Sequence, residues 1–161
     1  VLSIGVVRGG EASNVIPRSV YIEGTLRSMD PVVREQLLTE VERCFSLAKA
    51  LGGDYTLKIE RGYPSMHNNG DVASLIQQTS RDLLGEESLV TSTPTMGAED
   101  FSYMTELAPG AMFMLGIRKP GSDAKRVHTP DFVIDEDALP IGSAMLAETA
   151  LRLLEEARAG R

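Results

Sequence analysis

The sequence is poor in aromatic residues and contains no tryptophan; Phe, Tyr and Trp together make up 5% of it. Surfaces that stack on bases or sugar rings depend on such side chains, so we expect none here. The net charge of −7 also argues against nucleic acid or an anionic membrane as a partner, because both need a basic face. No apolar run is long enough to span a membrane.

Cysteine is equally scarce, since Cys44 is the single one in the chain. An internal disulfide is therefore excluded, and this usage fits a reducing compartment, so we expect a cytoplasmic protein. The paired motifs HExxH and CxxC are absent as well. A metal site thus cannot be assigned from one compact motif.

Alternation of apolar with polar or small residues predicts strands at 2–8, 19–28 and 55–61. Gly24 inside the second strand indicates a bulge or a close backbone approach. The chain begins inside a strand, which suggests that an N-terminal part is missing. A preceding strand and helix would complete a ferredoxin-like βαββαβ unit.

Asp30-Pro31 predicts the start of a helix, because aspartate is a good N-cap and proline is tolerated at the first helical position. Gly52 follows the last apolar residue and predicts the end of this helix. Apolar residues at three- and four-residue spacing form the stripe that we expect to be buried: Val33, Leu37, Val41, Cys44, Ala48 and Leu51.

Turn-forming residues at 62–70 suggest a domain boundary. Beyond it, the pattern predicts a helix that Asp71 caps and that runs to about Leu84, and a short helix that starts at Ala98. The unbroken apolar run 111–117 is typical of a strand buried on both faces. A last helix is predicted at about 138–157, with proline tolerated in its first turn.

His128, one of two histidines, lies close to Pro130. We expect it on extended backbone at a strand end or loop, because residues next to proline are biased away from helix. One interpretation is a polar loop residue that hydrogen-bonds its surroundings; the other is a metal ligand or an acid/base. A metal site needs three or four ligands, so His128 by itself supplies part of one.

Four further polar residues could carry chemistry. Glu99 and Asp100 follow a glycine turn and are either helix N-terminal charges or groups that reach a metal or its histidine. Asn14 is either a turn residue or an amide that binds substrate. Arg27 is either a solvated strand-end charge or a guanidinium that holds a carboxylate.

Three stretches, in this order, resemble the C-terminal half of the dinuclear-metal aminoacylase, carboxypeptidase and amidohydrolase family. They are Gly-Gly-Glu-Ala-Ser-Asn-Val-Ile-Pro (9–17) with Glu-Gly-Thr-Leu-Arg (23–27), Met-Gly-Ala-Glu-Asp-Phe-Ser (96–102), and His-Thr-Pro-Asp-Phe (128–132). The likeness covers essentially the whole chain. It is strongest to the bacterial N-acyl-amino-acid and hippurate hydrolase-like branch.

The resemblance implies an α+β or α/β architecture in two parts. Residues 1–62 would be the C-terminal part of a ferredoxin-like lid that mediates homodimerisation. Residues 63–161 would be the C-terminal part of an α/β metallopeptidase catalytic domain. The resemblance further implies two divalent metal ions, zinc or manganese, in the full-length enzyme.

The resemblance also implies roles for individual residues. His128 matches the family's last metal ligand, and Asn14 matches a lid residue that binds the substrate carboxylate or the developing oxyanion. Arg27 is a weaker candidate for the carboxylate. Glu99 and Asp100 match a stretch at the active-site edge. The remaining ligands and the general-base glutamate would lie N-terminal to this chain.

The implied reaction is metal-dependent hydrolysis of the amide bond of an N-acyl amino acid or small peptide. We expect this chain by itself to be inactive and to bind metal weakly. An alternative is a non-catalytic dimerisation or ligand-binding module built on the ferredoxin-like half. A second alternative is a family member that keeps the fold without catalysis.

Overall fold

A computed structural model of the chain describes residues 1–90, 94–123, 125 and 127–160. The chain divides into two compact units. The first comprises Val1–Met66 and Pro94–Tyr103, and the second comprises His67–Thr93 and Met104–Arg161. The expected assignment of 1–62 to a lid and 63–161 to a catalytic domain stays a prediction.

The first unit contains an antiparallel pair of strands, β1 (Leu2–Gly9) and β2 (Val20–Leu26). Both strands were predicted at nearly these bounds, because alternation is a local signal. The described residues thus combine one two-stranded sheet with α-helices. This bears out an α+β class, whereas a complete ferredoxin-like sheet is not seen in them.

Gly24 on β2 lies where the backbone of β1 approaches closely. A Cβ atom added there would lie 2.3 Å from the carbonyl oxygen of Ser3. The pairing register also shifts between Ile4 and Val6, so Gly5 is the extra residue of a bulge in β1. The prediction from Gly24 is confirmed.

Helix α1 (Pro31–Ala50) begins as the sequence predicts. The Asp30 carboxylate accepts hydrogen bonds from the backbone N–H groups of Val32 at 2.7 Å and Val33 at 3.0 Å. Two of the N–H groups that lack an intrahelical partner are thereby satisfied. The short-range signal in Asp30-Pro31 was therefore sufficient to place this helix.

The buried face of α1 differs from the predicted one. Cys44 is exposed, so its prediction as a buried residue is wrong, whereas the neighbouring Phe45 is half-buried. The Phe45 ring stacks on Tyr55 with centroids 6.1 Å apart. Val33 and Leu51, also predicted as buried, are exposed as well, whereas Leu37, Val41 and Ala48 are half-buried.

The predicted third strand, 55–61, is wrong: these residues have no regular secondary structure. Side chains of α1 contact the end of this stretch and the residues just after it. Arg61 forms a two-armed ion pair with Glu35 at 2.5 and 2.6 Å. Arg34 donates to the carbonyl oxygens of Gly62 and Tyr63. A strand exists only where a neighbour completes its ladder, and alternation cannot report that neighbour.

The second unit contains α2 (Gly70–Leu84) and α4 (Ala138–Ala159). The short helix α3 (Ser102–Leu107) begins in the first unit and ends in the second. The cap of α2 is Asn69, whose side chain accepts from the N–H groups of Asp71 and Val72 at 3.1 Å each. The predicted cap, Asp71, is therefore wrong by two residues. The predicted start of α3 at Ala98 is also wrong, by four residues.

Helices α2 and α4 pack on each other. Within the described part of the chain, the buried apolar side chains are Ile76 from α2 and Ala138 and Met145 from α4. Arg152 of α4 bridges to Asp82 of α2 at 2.6 Å and to Glu148 on its own helix at 2.9 Å. This charged link flanks the small apolar contact.

The apolar run 111–117 forms no regular strand, so that prediction is wrong. The run nonetheless makes ladder-like hydrogen bonds at both ends. The Asn68 side chain donates to the carbonyl of Met112 and accepts from its N–H, both at 2.9 Å. At the other end, the Asp135 N–H donates to the carbonyl of Ile117 at 2.8 Å.

None of the helices in the described residues combines the length and apolar character needed to cross a membrane.

Gly24→Ala should destabilise the chain by about 2 kcal/mol, because the new methyl group would clash with a backbone carbonyl that cannot move freely. Gly5→Ala on the paired strand is the matched control, since no atom lies within 4 Å of its added Cβ. It should change the free energy of unfolding by no more than about 0.5 kcal/mol. Urea denaturation of both variants measures the difference, and equal effects would contradict the close approach.

Asp82→Asn should cost stability in a pH-dependent way. Hydrogen bonds from Arg152 and, less strongly, Gln78 hold the pKa of Asp82 below its ordinary value of 3.8. A lowered folded-state pKa stabilises the fold fully above that ordinary value, and this contribution is lost as the pH falls through the folded pKa. The difference in unfolding free energy between the original chain and the variant should therefore shrink below pH 3.8. A pH-independent difference would contradict this ion pair.

Candidate functional site

Asn14 lies in the connection between β1 and β2, with its side chain exposed. A hydrogen bond of 3.2 Å from the N–H of Val15 to the carbonyl of Ala12 closes a tight turn at this point. The turn role proposed for an asparagine here is thereby consistent with the backbone. The amide is accessible from solvent, as a substrate-binding group must be.

Arg27 follows β2 directly and connects two of the three motif stretches. Its N–H donates to the carbonyl of Val1 at 2.8 Å, which continues the β1–β2 pairing by one residue. Its guanidinium Nη1 donates to the carbonyl oxygen of Met96 at 2.5 Å, across 69 positions of sequence. Arg27 is therefore more than a solvated strand-end charge.

The stretch 96–102 leads into α3. Ser102 is fully buried, and its Oγ donates to the carbonyl of Glu99 at 2.6 Å. The N–H of Tyr103 donates to the carbonyl of Asp100 at 3.0 Å. The two carboxylates thus stand on the turn just before the helix, with Glu99 half-buried and Asp100 exposed.

His128 is exposed and lies in a turn, with a φ of 66°. The expected loop is confirmed, but the expected extended backbone is wrong. Thr129 separates His128 from Pro130, so the steric restriction by proline falls on Thr129 instead. His128 adopts the left-handed region, which histidine occupies more readily than most side chains.

An ion pair closes the loop around His128. Lys125 Nζ lies 2.6 Å from a carboxylate oxygen of Asp131. Lys125, followed by the Thr129 side chain, lowers the pKa of Asp131 from its ordinary value. Arg126 lies outside the described residues. The imidazole is therefore presented between two bonded ends of a short loop.

The predicted site residues divide between the two units. Asn14, Arg27, Glu99 and Asp100 belong to the first, and His128 belongs to the second. Within the described ranges, no three His, Cys, Asp or Glu side chains come together in a way that could hold a metal. The chemistry of His128 fits a metal ligand, but these residues do not form a complete centre.

A groove of about 430 Å³ lies in the second unit, between the loop His67–Asn69 and the segment Thr105–Gly110. Its wall is fixed by the N–H of Asn69, which donates to the carbonyl of Gly110 at 2.8 Å. None of the predicted site residues lines it. The groove is therefore separate from the motif residues.

Two contacts near the motif stretches are not evident from the sequence. Tyr103 packs edge-to-face on Tyr63, with ring centroids 5.6 Å apart. The Met96 carbonyl is bound by Arg27. Both contacts are long-range, and no periodic pattern or local motif indicates them.

Residues 2–152 match Peptidase family M20/M25/M40, and the chain belongs to this family of hydrolases. The match spans all three motif stretches and both compact units. The resemblance inferred from the motifs is thereby confirmed.

Named relatives include the IAA-amino acid hydrolase ILR1-like 2 of Arabidopsis thaliana, which is 35% identical over 97% of this chain and 36% of its own length. The N-acetyl-L-cysteine deacetylase of Bacillus subtilis is 31% identical over 96% of this chain and 36% of its own length. This chain thus spans little more than a third of these curated relatives.

A solved structure agrees with the fold. The Bacillus subtilis YXEP protein, a dinuclear metal binding peptidase from the M20 family, superimposes with a TM-score of 0.79 at 28% identity. The likeness covers 96% of this chain and 42% of that one. The arrangement of elements described above is therefore one that the family uses.

His128→Gly should give a more stable chain than His128→Ala, by about 1 kcal/mol, because the left-handed backbone disfavours any residue with a Cβ. Thermal unfolding of the two variants side by side measures the difference. Neither variant carries an imidazole, so lost side-chain contacts cancel in the comparison. An alanine variant as stable as the glycine variant would show that His128 does not hold this backbone conformation.

Proposed function

We propose that this chain is the C-terminal portion of a metal-dependent amidohydrolase that cleaves the amide bond of N-acyl amino acids or small peptides. Membership of the M20/M25/M40 family supports the proposal. The single structural observation that carries it is the hydrogen bond from Arg27 to Met96, because it joins two motif stretches that are far apart in sequence.

In this proposal, residues 1–62 form part of a ferredoxin-like lid through which the enzyme forms a homodimer in the cytoplasm. Residues 63–161 form part of the catalytic domain. Asn14 is accessible on the lid part, where its amide would donate to the substrate carboxylate or to the developing oxyanion. Arg27 has further N–H donors besides Nη1, and these would be available to a carboxylate.

His128 would serve as one ligand of a pair of divalent ions, zinc or manganese. When bound, such ions polarise the scissile carbonyl and acidify a water molecule. The Lys125–Asp131 ion pair fixes the two sides of the loop that carries the imidazole. Glu99 and Asp100 would lie at the edge of the active site, on a turn whose carbonyl groups cap the start of α3.

The chain by itself would lack activity and bind metal weakly, since the described residues gather no group of three metal-ligating side chains. The remaining ligands and the general base would come from outside these 161 residues.

The test compares the full-length protein with its His128→Ala and His67→Ala variants. Metal analysis should find two divalent ions in the original protein. Cleavage of a panel of N-acyl amino acids should fall at least about 100-fold in His128→Ala, since loss of groups that merely support ligands already costs 10- to 100-fold. Metal content should fall in parallel.

His67→Ala is the matched control, because His67 is the other histidine and lines the separate groove. It should leave cleavage and metal content within about twofold of the original. A metal-free protein without activity would contradict the proposal and favour the non-catalytic binding module. Activity indifferent to His128 would contradict the proposed role of His128 as a metal ligand. Full activity from the 161-residue chain would contradict its proposed incompleteness.

A further inference from the structure

The segment Pro94–Tyr103 belongs to the first compact unit although its sequence lies far from the rest of that unit. This segment carries Glu99 and Asp100 on an irregular turn. An irregular segment has no ladder of its own, so its position depends on a few contacts with the elements beside it. Two contacts within the first unit hold this segment in position.

The first contact is the one made by Arg27. The backbone of Arg27 is fixed, because its N–H is bonded to the carbonyl of Val1 at the end of the strand pair. Its guanidinium therefore starts from a defined point and reaches the Met96 carbonyl at 2.5 Å. A hydrogen bond from a charged donor is about twice as strong as one between neutral groups.

The second contact is the edge-to-face pair of Tyr103 and Tyr63. Tyr63 is itself attached to helix α1, since Arg34 donates to its carbonyl at 3.1 Å and to that of Gly62 at 3.0 Å. The ring of Tyr103 is thus held through Tyr63 to α1. Such aromatic pairs contribute about 0.5–1.5 kcal/mol beyond their buried area.

We propose that Arg27 is a positioning residue that, together with the Tyr63–Tyr103 pair, holds the segment between Met96 and Tyr103 in place. Six residues, 97–102, lie between the two attachment points. Because both ends of this short stretch are fixed, its turn and the two carboxylates on it sample few conformations. This role of Arg27 is distinct from binding a substrate carboxylate.

The Arg27→Lys substitution distinguishes the positioning role from carboxylate binding. A substrate carboxylate uses the two-armed geometry of guanidinium, which lysine cannot reproduce. One carbonyl oxygen needs one donor at the right reach, and a lysine ammonium can supply that. Arg27→Lys should therefore retain the positioning role, while Arg27→Ala should abolish it.

The test is limited digestion of the 161-residue chain with a glutamate-specific protease, read by mass spectrometry. Half-buried Glu99 is the reporting site, and exposed Glu11 in the β1–β2 connection is the internal reference. Arg27→Ala should speed cleavage after Glu99 at least about fivefold, because proteolysis follows local opening. Cleavage after Glu11 should not change.

Arg27→Lys should restore slow cleavage after Glu99. Arg8→Ala removes a guanidinium from β1, the strand paired with β2, and serves as the control; it should leave both sites unchanged. Unaltered cleavage after Glu99 in Arg27→Ala would overturn the inference. So would an equal rise at Glu11 and Glu99, because that would report opening of the whole unit.

These readouts use the chain without substrate or metal, so they stand apart from the proposed activity. If the digestion test succeeds and the full-length protein is inactive, the positioning role of Arg27 is supported and the proposed hydrolase function is refuted. If the digestion test fails and the full-length enzyme is active, the hydrolase function stands and the positioning role of Arg27 is refuted.

Discussion

The paired hydrogen bonds between the Asn68 side chain and the backbone of Met112 are the contact on which the second unit depends. An amide side chain offers the same donor and acceptor that a neighbouring strand would offer. The apolar run 111–117 is thereby held in place although it forms no regular strand. Gly142 of α4 allows this run to approach, since an added Cβ would lie 2.9 Å from Leu115. The Asn68 side chain thus helps to hold an apolar segment that approaches α4.

In the first unit, arginine guanidinium groups likewise bind backbone groups outside helices and strands. Arg34 binds the carbonyls of Gly62 and Tyr63, and Arg27 binds that of Met96. Backbone carbonyls outside helices and strands still need donors, and a charged side chain supplies them with useful strength. The motif stretch that carries Glu99 is therefore attached to a sheet and a helix by side chains. This arrangement couples the position of those carboxylates to residues far away in sequence.

The sequence predicted the elements that local chemistry determines. Asp30-Pro31 located the start of α1, alternation located β1 and β2, and Gly24 indicated the close approach between them. Prediction from the sequence failed where an element depends on a contact with a residue far away in the chain. Residues 55–61 alternate like a strand, but only a paired neighbour makes one. Cys44 and Phe45 both suit a buried stripe, and the contact with Tyr55 selected Phe45. The motifs identified the family, whereas the contact of Arg27 with Met96 required the structure.

The loop around His128 shows how an exposed imidazole can still be held in a defined place. Its outer closure is the bond from the N–H of Asp135 to the carbonyl of Ile117, directly before α4. Within it, the Lys125–Asp131 ion pair makes a second closure. An exposed ion pair by itself contributes little. Here the outer closure already restricts the chain, so the inner one costs less to form. The left-handed backbone of His128 then fixes the direction in which the side chain leaves the loop. If His128 is the metal ligand proposed above, this presentation spares metal binding the free-energy cost of ordering the loop.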